Sequence, residues 1–376
     1  MRCSPSRPTT SMWTRRCRAA ASTANMRRPW PCSAASRRPP TPCRPPPSTC
    51  RKTTPKATTP RPACPRGRCS PGRCRRPEAA WRQVDIAQLA EFFRHPSRAL
   101  LRRRLGIDLP QAADELQDDE PFVADRAGRQ AMAARLLPLL LQGADAATVQ
   151  ALAEAGTEYP PGALGAQQRA AELAQLMQFA AQVREATQQA PLPAQHVHLA
   201  LDVAGEPWQL QGSFAELRAE GDGWRHYRWH YDNTRPVDYL QAWLPHLLLN
   251  VQQPGTVTRV WSRDGSFVLR PVPGAAATLR TLVDLYRQGL QAPLHFFPRT
   301  SWAQATGASR SQVEATWRRG PQRPFAEEAD AAHRLVLRGL PDPLDEAFMQ
   351  VADAVYRPLL AALDDPRVTA DAKEPA

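Results

Sequence analysis

The sequence predicts an α/β domain in which a mixed, mainly antiparallel sheet is flanked by helices. Three observations predict it. Apolar residues recur at helical spacing from about residue 84 to 188, alternate with polar ones from about 196 to 272, and return to helical spacing afterwards. Helices and strands in that order bury their apolar faces as packed layers.

Taken in order, Val84, Ile86, Leu89, Phe92 and Phe93 share one helical face, and Pro96 restarts the chain as a short helix carrying Leu100, Leu101 and Leu105. An acidic segment, Asp114 to Asp125, leads into helices over Ala131–Leu141, Ala146–Ala155 and Ala166–Thr187, with Pro160-Pro161-Gly162 between the last two. Val197, Leu199 and Leu201 then alternate with polar residues, as do Trp208, Leu210 and Gly212, and Trp224 to Tyr231 follows. Breaks at Gly205-Glu206-Pro207 and Gly221-Asp222-Gly223 make these three segments an antiparallel meander. Pro236 opens an apolar helix over Val237–Val251. Val257–Ser262 and Phe267–Val272 read as a hairpin across Arg263-Asp264-Gly265. Ala275–Gln288 is a helix with Gly289 where a C-cap glycine would stand. Leu294–Phe297 reads as a short strand, and the chain is mostly helical from Trp302 on. Phe296 and Phe297 are open to two readings, core or exposed interface.

The composition is uneven. All eight cysteines precede residue 75, and Glu78 is the first acidic residue. Of 49 Lys+Arg, 19 lie within residues 1–77, leaving 30 against 36 Asp+Glu in the remainder. The formal +13 is therefore +19 on a leader and −6 on a body, so the basic average does not itself imply a nucleic-acid partner. The leader has no apolar core of a secretory signal, and its 16 prolines oppose the amphipathic helix of a mitochondrial transit peptide. Cys64, Cys69 and Cys74 match no zinc spacing and have no histidine nearby. Residues 1–77 are expected to be disordered, either as a basic arm gripping phosphates or as coding DNA read in a shifted frame; the lack of acids favours the latter. Residues 78–366 form the body, with a helical part at 84–188 and a sheet-containing part at 196–300, and 367–376 form a tail. No apolar run nears the roughly 18 residues that span a bilayer, so no membrane partner is expected. The cysteine-free body fits a reducing cytoplasm.

Six short motifs then stand in one order. They are Phe92-Phe93-Arg94-His95-Pro96-Ser97-Arg98-Ala99-Leu100-Leu101-Arg102-Arg103-Arg104-Leu105; Asp119-Glu120-Pro121-Phe122; Leu210-Gln211-Gly212-Ser213-Phe214; Trp243-Leu244-Pro245-His246-Leu247; Leu285-Tyr286-Arg287-Gln288-Gly289-Leu290 with Pro293-Leu294-His295-Phe296-Phe297-Pro298; and Tyr356-Arg357-Pro358-Leu359-Leu360. With them, the stretch from Trp81 to Leu363 resembles the C-terminal domain of the RecC family, the gamma subunits of exodeoxyribonuclease V (RecBCD). The resemblance implies a PD-(D/E)XK-nuclease-like fold that is catalytically dead. It implies a subunit that holds RecB-like and RecD-like motors together, carries DNA past them and helps recognise the Chi sequence, in recombinational repair of double-strand breaks. Mg²⁺ and ATP then belong to the partner subunits and no cofactor to this chain, and the location is cytoplasmic, on the nucleoid. The family's large helicase-like N-terminal part is missing from the sequence, which reads as a fragment or split reading frame.

A nuclease of that class needs two carboxylates for Mg²⁺ and a lysine to steady developing charge. The first carboxylate commonly follows a strand ending Gly-x-Ile-Asp, and here Gly212-Ser213-Phe214 is followed by Ala215. The next strand, Trp224 to Tyr231, has no acid and no lysine; Arg228 stands among its basic residues, and arginine cannot deprotonate to replace a catalytic amine. Glu216 and Asp232 flank these positions, which keeps a rival reading open: an Mg²⁺-dependent exonuclease using displaced carboxylates. Against it, neighbours on a strand point to opposite faces. No P-loop and no Gly-x-Ser-x-Gly elbow occurs, and the pairs His196/His198 and His226/His230 lack a third zinc ligand. Tyr227, Trp229 and Tyr231, with Arg225 beside them, share one strand face. They either stack single-stranded bases, at about 1–3 kcal/mol each, or pack under a helix, and packing is favoured. Arg102, Arg103 and Arg104 either contact phosphates or form a solvated face, with solvation favoured.

Overall fold

The computed structural model describes residues 79–109, 125–221, 223–323, 325–340 and 342–371. The leader, the Asp119–Phe122 motif and the end of the tail lie outside the described residues. Val84 belongs to a strand, β1 (Gln83–Asp85), because the Asp85 carboxylate accepts the Ala87 amide at 2.8 Å and starts α1 (Ile86–Arg94) two residues later than expected. After α2 (Pro96–Leu100) comes one π-helical turn, Leu101–Leu105, closed by Gly106 at φ 65°. The helices α3 (Arg126–Leu141), α4 (Ala146–Glu154) and α5 (Ala163–Ala186) enclose their own core of Met132, Leu136, Leu176, Phe179 and Val183.

β2 (Gln195–Val203) and β3 (Glu206–Phe214) form an antiparallel hairpin. Its two-residue turn is Ala204-Gly205, with φ of 55° and 76°, so Glu206 and Pro207 lie inside β3 rather than in the break. The expected three-strand meander divides at Ala215-Glu216. Glu216 takes φ 56°, and past that kink the chain resumes as β4 (Leu217–Glu220) in a second sheet. One sheet has the order β1-β3-β2, with β1 parallel to β3. The other runs β4-β5-β6-β7-β8 through β5 (Gly223–Trp229), β6 (Val257–Ser262), β7 (Gly265–Leu269) and β8 (Leu363–Asp364). β5 and β6 are parallel and are joined by α6 (Pro236–Gln252), whereas β6 and β7 form the expected hairpin, turning at Arg263-Asp264. These are mixed sheets flanked by helices, as expected.

α7 (Ala275–Gly289) ends without the left-handed glycine that its sequence suggested. Gly289 is needed for another reason: a Cβ there would run into the ring of Phe92. Leu294–Phe297 is not a strand. Pro293 and Pro298 bracket it, and the Phe296 amide bonds back to the Leu294 carbonyl at 2.8 Å, which turns the chain too tightly for a ladder. Phe296 and Phe297 are both 0% exposed, so they are core and not free surface. The remaining helices are α8 (Pro298–Ala305), α9 (Arg310–Trp317), α10 (Ala331–Val336), α11 (Glu346–Ala362) and α12 (Pro366–Asp371). One apolar core joins both sheets to α1, α6, α7 and α11 through fully buried Phe92, Trp208, Trp243, Phe267, Tyr286 and Tyr356. Each such side chain contributes on the order of 1.5–3 kcal/mol. Among the described residues, no helix is long and apolar enough to cross a membrane.

Candidate functional site

The alternation of β5 sorts its side chains onto two faces. Tyr227, Trp229 and Tyr231 turn toward the core of α3, α4 and α5. Tyr231 is 8% exposed, meets Phe179 edge-on at 5.3 Å and donates its hydroxyl to the Glu172 carboxylate at 2.8 Å. Tyr227 packs on Trp261 at 5.6 Å and lies under the Arg218 guanidinium at 5.6 Å. The aromatic row is therefore packed against the helical layer. Arg225, beside it, gives its guanidinium to the Glu220 carboxylate. Arg102, Arg103 and Arg104 sit on the π-helical turn and diverge. Arg102 lies 3.8 Å from Asp108 at the surface, Arg103 donates to the Tyr286 hydroxyl at 2.7 Å, and Arg104 stacks on Trp81 at 5.4 Å.

The other face of β5 presents His226 and Arg228, with His230 just past the strand, to two adjoining cavities. A cavity of about 500 Å³ is lined by Asp85 and Glu91 of the α1 segment, by Ser213 and Ala215 at the end of β3, and by His226, Arg228 and Gln241. A cavity of about 630 Å³ is lined on its polar side by Arg94, Gln130, Arg228, His230, Asp232, Arg235, Asp238 and Gln241. Its apolar side is lined by Leu137 and Leu141 of α3 and by Trp229 and Tyr231, which reach it as well as the helical core. Arg228 and Gln241 line both, so the structure brings Ala215 and Arg228 to one place. The sequence did not reveal the contributions of Arg94, Gln130, Arg235 and Gln241. Pro236 and the helix it opens were the signal for Gln241, but nothing local points from α3 to this site.

The carboxylates here are engaged. Asp232 accepts from Arg126 Nε at 2.7 Å and Gln130 Nε2 at 2.8 Å. Burial is the largest influence and pushes its carboxyl up, but the Arg126 hydrogen bond, the Asn233 amide and the charges of Arg126 and Arg235 together hold it below the usual range. Asp238 accepts the Arg235 amide at 2.8 Å and its Nε at 3.2 Å. Asp85 caps α1, and Glu91 lies 3.6 Å from Arg94. Glu216, on the kink, is 3.0 Å from Arg218. Arg228 differs: among the described residues it makes no hydrogen bond or ion pair, and burial lowers its pKa below the ordinary value. An arginine stays charged nonetheless.

Behind Arg228 runs a chain of buried polar groups. His246 Nε2 lies 2.9 Å from the Arg270 carbonyl and His246 Nδ1 is 2.8 Å from Thr258 Oγ1, which is 3.4 Å from His226 Nδ1. Burial pushes His226 down to about 3 and His246 to about 4, so both rings are neutral. His196 and His198 are exposed on β2, away from this cavity. Among the described residues no group of three His, Cys, Asp or Glu is placed to hold a metal ion.

Fold and site together define a helix-flanked α/β domain with mixed sheets and an arginine-bearing cavity where β3 and β5 come together. Residues 81–309 match the family model of the RecC C-terminal domain, and the chain belongs to that family. It is similar to "RecBCD enzyme subunit RecC" of Escherichia coli (strain K12), 26% identical over 58% of this chain and 19% of that protein. It is also similar to "RecBCD enzyme subunit RecC" of Mycobacterium tuberculosis (strain CDC 1551 / Oshkosh), 29% identical over 68% of this chain and 24% of that protein. The chain thus spans about a fifth to a quarter of these relatives. A solved chain, SSO0001, aligns over 59% of this chain and 81% of its own at a TM-score of 0.28 and 11% identity, too slight a likeness for an argument about fold. The Tyr356–Leu360 motif lies beyond the matched range.

Proposed function

We propose that this chain is a non-catalytic scaffold and DNA-handling domain of a RecC-like subunit, with a PD-(D/E)XK-nuclease-like architecture whose centre has lost its chemistry. The observation that carries the reading is the pairing of Ala215 with Arg228 on one cavity. A metal-dependent nuclease holds Mg²⁺ there with carboxylates. An alanine methyl offers the ion no ligand, and an uncompensated guanidinium repels it. The rival exonuclease reading would require Glu216 to leave Arg218, and Asp232 to leave Arg126 and Gln130.

On this reading the partners are RecB-like and RecD-like subunits and DNA, Mg²⁺ and ATP act in those partners, and the work is done in the cytoplasm on the nucleoid. Co-expression of the full chain with RecB and RecD homologues tests it. The chain is expected to copurify with at least one of them through salt washes, and failure to copurify with either contradicts the scaffold role.

A further inference from the structure

In the reading above Arg228 only repels a metal ion, yet keeping a guanidinium half-buried without a paired carboxylate is costly. We infer that the cavity at Arg228 is a phosphate-binding site, in which the guanidinium supplies the positive charge that a divalent ion supplies in a metal-dependent nuclease. The inference rests on the proposed nuclease-like architecture.

Charge is the first support. Asp85, Glu91, Asp232 and Asp238 line the two cavities, and each already has a backbone or cationic partner, whereas Arg228 has none among the described residues. Arg94 and Arg235 are held by Glu91 and Asp238, so the uncommitted guanidinium donors of the lining are those of Arg228. A guanidinium offers a fork of donors that matches two oxygens of a phosphate, and partial exclusion of water strengthens that pairing.

The second support is the fixed protonation of His226. The Arg270 carbonyl can only accept, so His246 Nε2 carries the proton and His246 Nδ1 accepts from the Thr258 hydroxyl. The Thr258 oxygen is then free to accept from His226 Nδ1–H. A neutral ring has one N–H, so His226 Nε2 is left as an acceptor. Beside Arg228 the site therefore has a hydrogen-bond acceptor for a hydroxyl or amino group, with Ser213 and Gln241 as further polar neighbours.

The third support is space. Volumes of about 630 Å³ and about 500 Å³ meet at Arg228 and Gln241, leaving room on both sides of a bound phosphate. That shape suits a phosphate ester with substituents better than a lone ion. Such an ester has two sources, the backbone of single-stranded DNA or a free phosphate compound.

Calorimetric titration of the full chain with inorganic phosphate and with an oligodeoxythymidylate of about ten residues separates them. Arg228→Gln, Arg228→Lys and the control Arg225→Gln are compared with the parent chain. The basic leader is common to all four proteins, so only differences among them are read. Arg228→Gln is expected to weaken phosphate binding at least about tenfold, Arg228→Lys to keep part of it, and Arg225→Gln to change neither probe. If the ester is DNA, Arg228→Gln also lowers the salt dependence of oligomer binding by about one unit of slope. Loss of phosphate binding with oligomer binding untouched assigns the site to a free phosphate compound. Equal binding of both probes by the parent chain and Arg228→Gln, at unchanged melting temperature, overturns the inference. Failure to copurify with the motor subunits would sink the scaffold reading alone and leave this result intact.

Discussion

Ala215 and Arg228 line one cavity although Ala215 directly follows β3 of one sheet and Arg228 lies in β5 of the other, because the chain kinks at Glu216 and returns through the β4–β5 hairpin. The kink therefore brings an alanine and an arginine to one cavity, the pair on which the proposed loss of nuclease chemistry rests.

The fit of α1 against α7 predicts a steric penalty. A methyl at position 289 meets the Phe92 ring, which is itself wedged edge-on against Tyr286 at 4.9 Å and Phe93 at 5.2 Å. Gly289→Ala is expected to lower stability by about 1–3 kcal/mol in urea denaturation, and Phe92→Leu in the same chain should recover part of that loss. A neutral Gly289→Ala would contradict the packing.

The helical layer is tied to the sheet through Glu172. Its carboxylate accepts from the Tyr231 hydroxyl at 2.8 Å and from Arg263 at 3.0 Å and 3.1 Å. Glu172→Ala strands both partners and is expected to cost about 1–3 kcal/mol, while Tyr231→Phe costs about 0.5–1.5 kcal/mol. Denaturant midpoints at constant slope measure both, and a coupling near zero in the double mutant would refute the network.

The aromatic row is assigned to packing. Tyr227→Ala and Trp229→Ala are each expected to destabilise by about 1–3 kcal/mol, less than a fully buried aromatic, and Tyr227→Ala, which lines neither cavity, to leave oligodeoxythymidylate affinity unchanged. Retained stability with a tenfold loss of oligomer affinity would instead make these rings a base-stacking surface.

Acid sensitivity follows from the buried histidines. Burial depresses His226 and His333 to about 3 and His246 to about 4, so the fold holds all three neutral. Because the folded values lie below the unfolded value near 6.5, their stabilisation is complete above that pH. It drains away as the pH falls toward the folded values. Urea midpoints should therefore drop between pH 6.5 and 5, before ordinary carboxylates titrate, and His246→Gln should flatten part of the slope. A flat profile over that interval would show that these rings are not held neutral.

Much of this was legible in the sequence for local reasons. Pro236 and an apolar run gave α6, the two flanking segments gave the β6–β7 hairpin, and the alternation in Trp224–Tyr231 gave the two faces of β5. Where the determinant was distant, the reading failed. β1 and β8 are three and two residues long, and each exists only through a partner far along the chain. Gly289 resembled a helix cap, but its constraint comes from Phe92, nearly two hundred residues earlier in the chain. The site was half legible: Ala215 and Arg228 were recognisable as departures from a nuclease pattern. The isolation of Arg228 became visible only when α1, α3 and α6 were placed around it.

The most direct measurement is hydrolysis of end-labelled single- and double-stranded DNA by the purified full chain, with and without Mg²⁺. The account predicts no cleavage above a metal-free control. Mg²⁺-dependent cleavage that disappears in Glu216→Ala would contradict it, since a carboxylate now held by Arg218 would then be binding the catalytic metal.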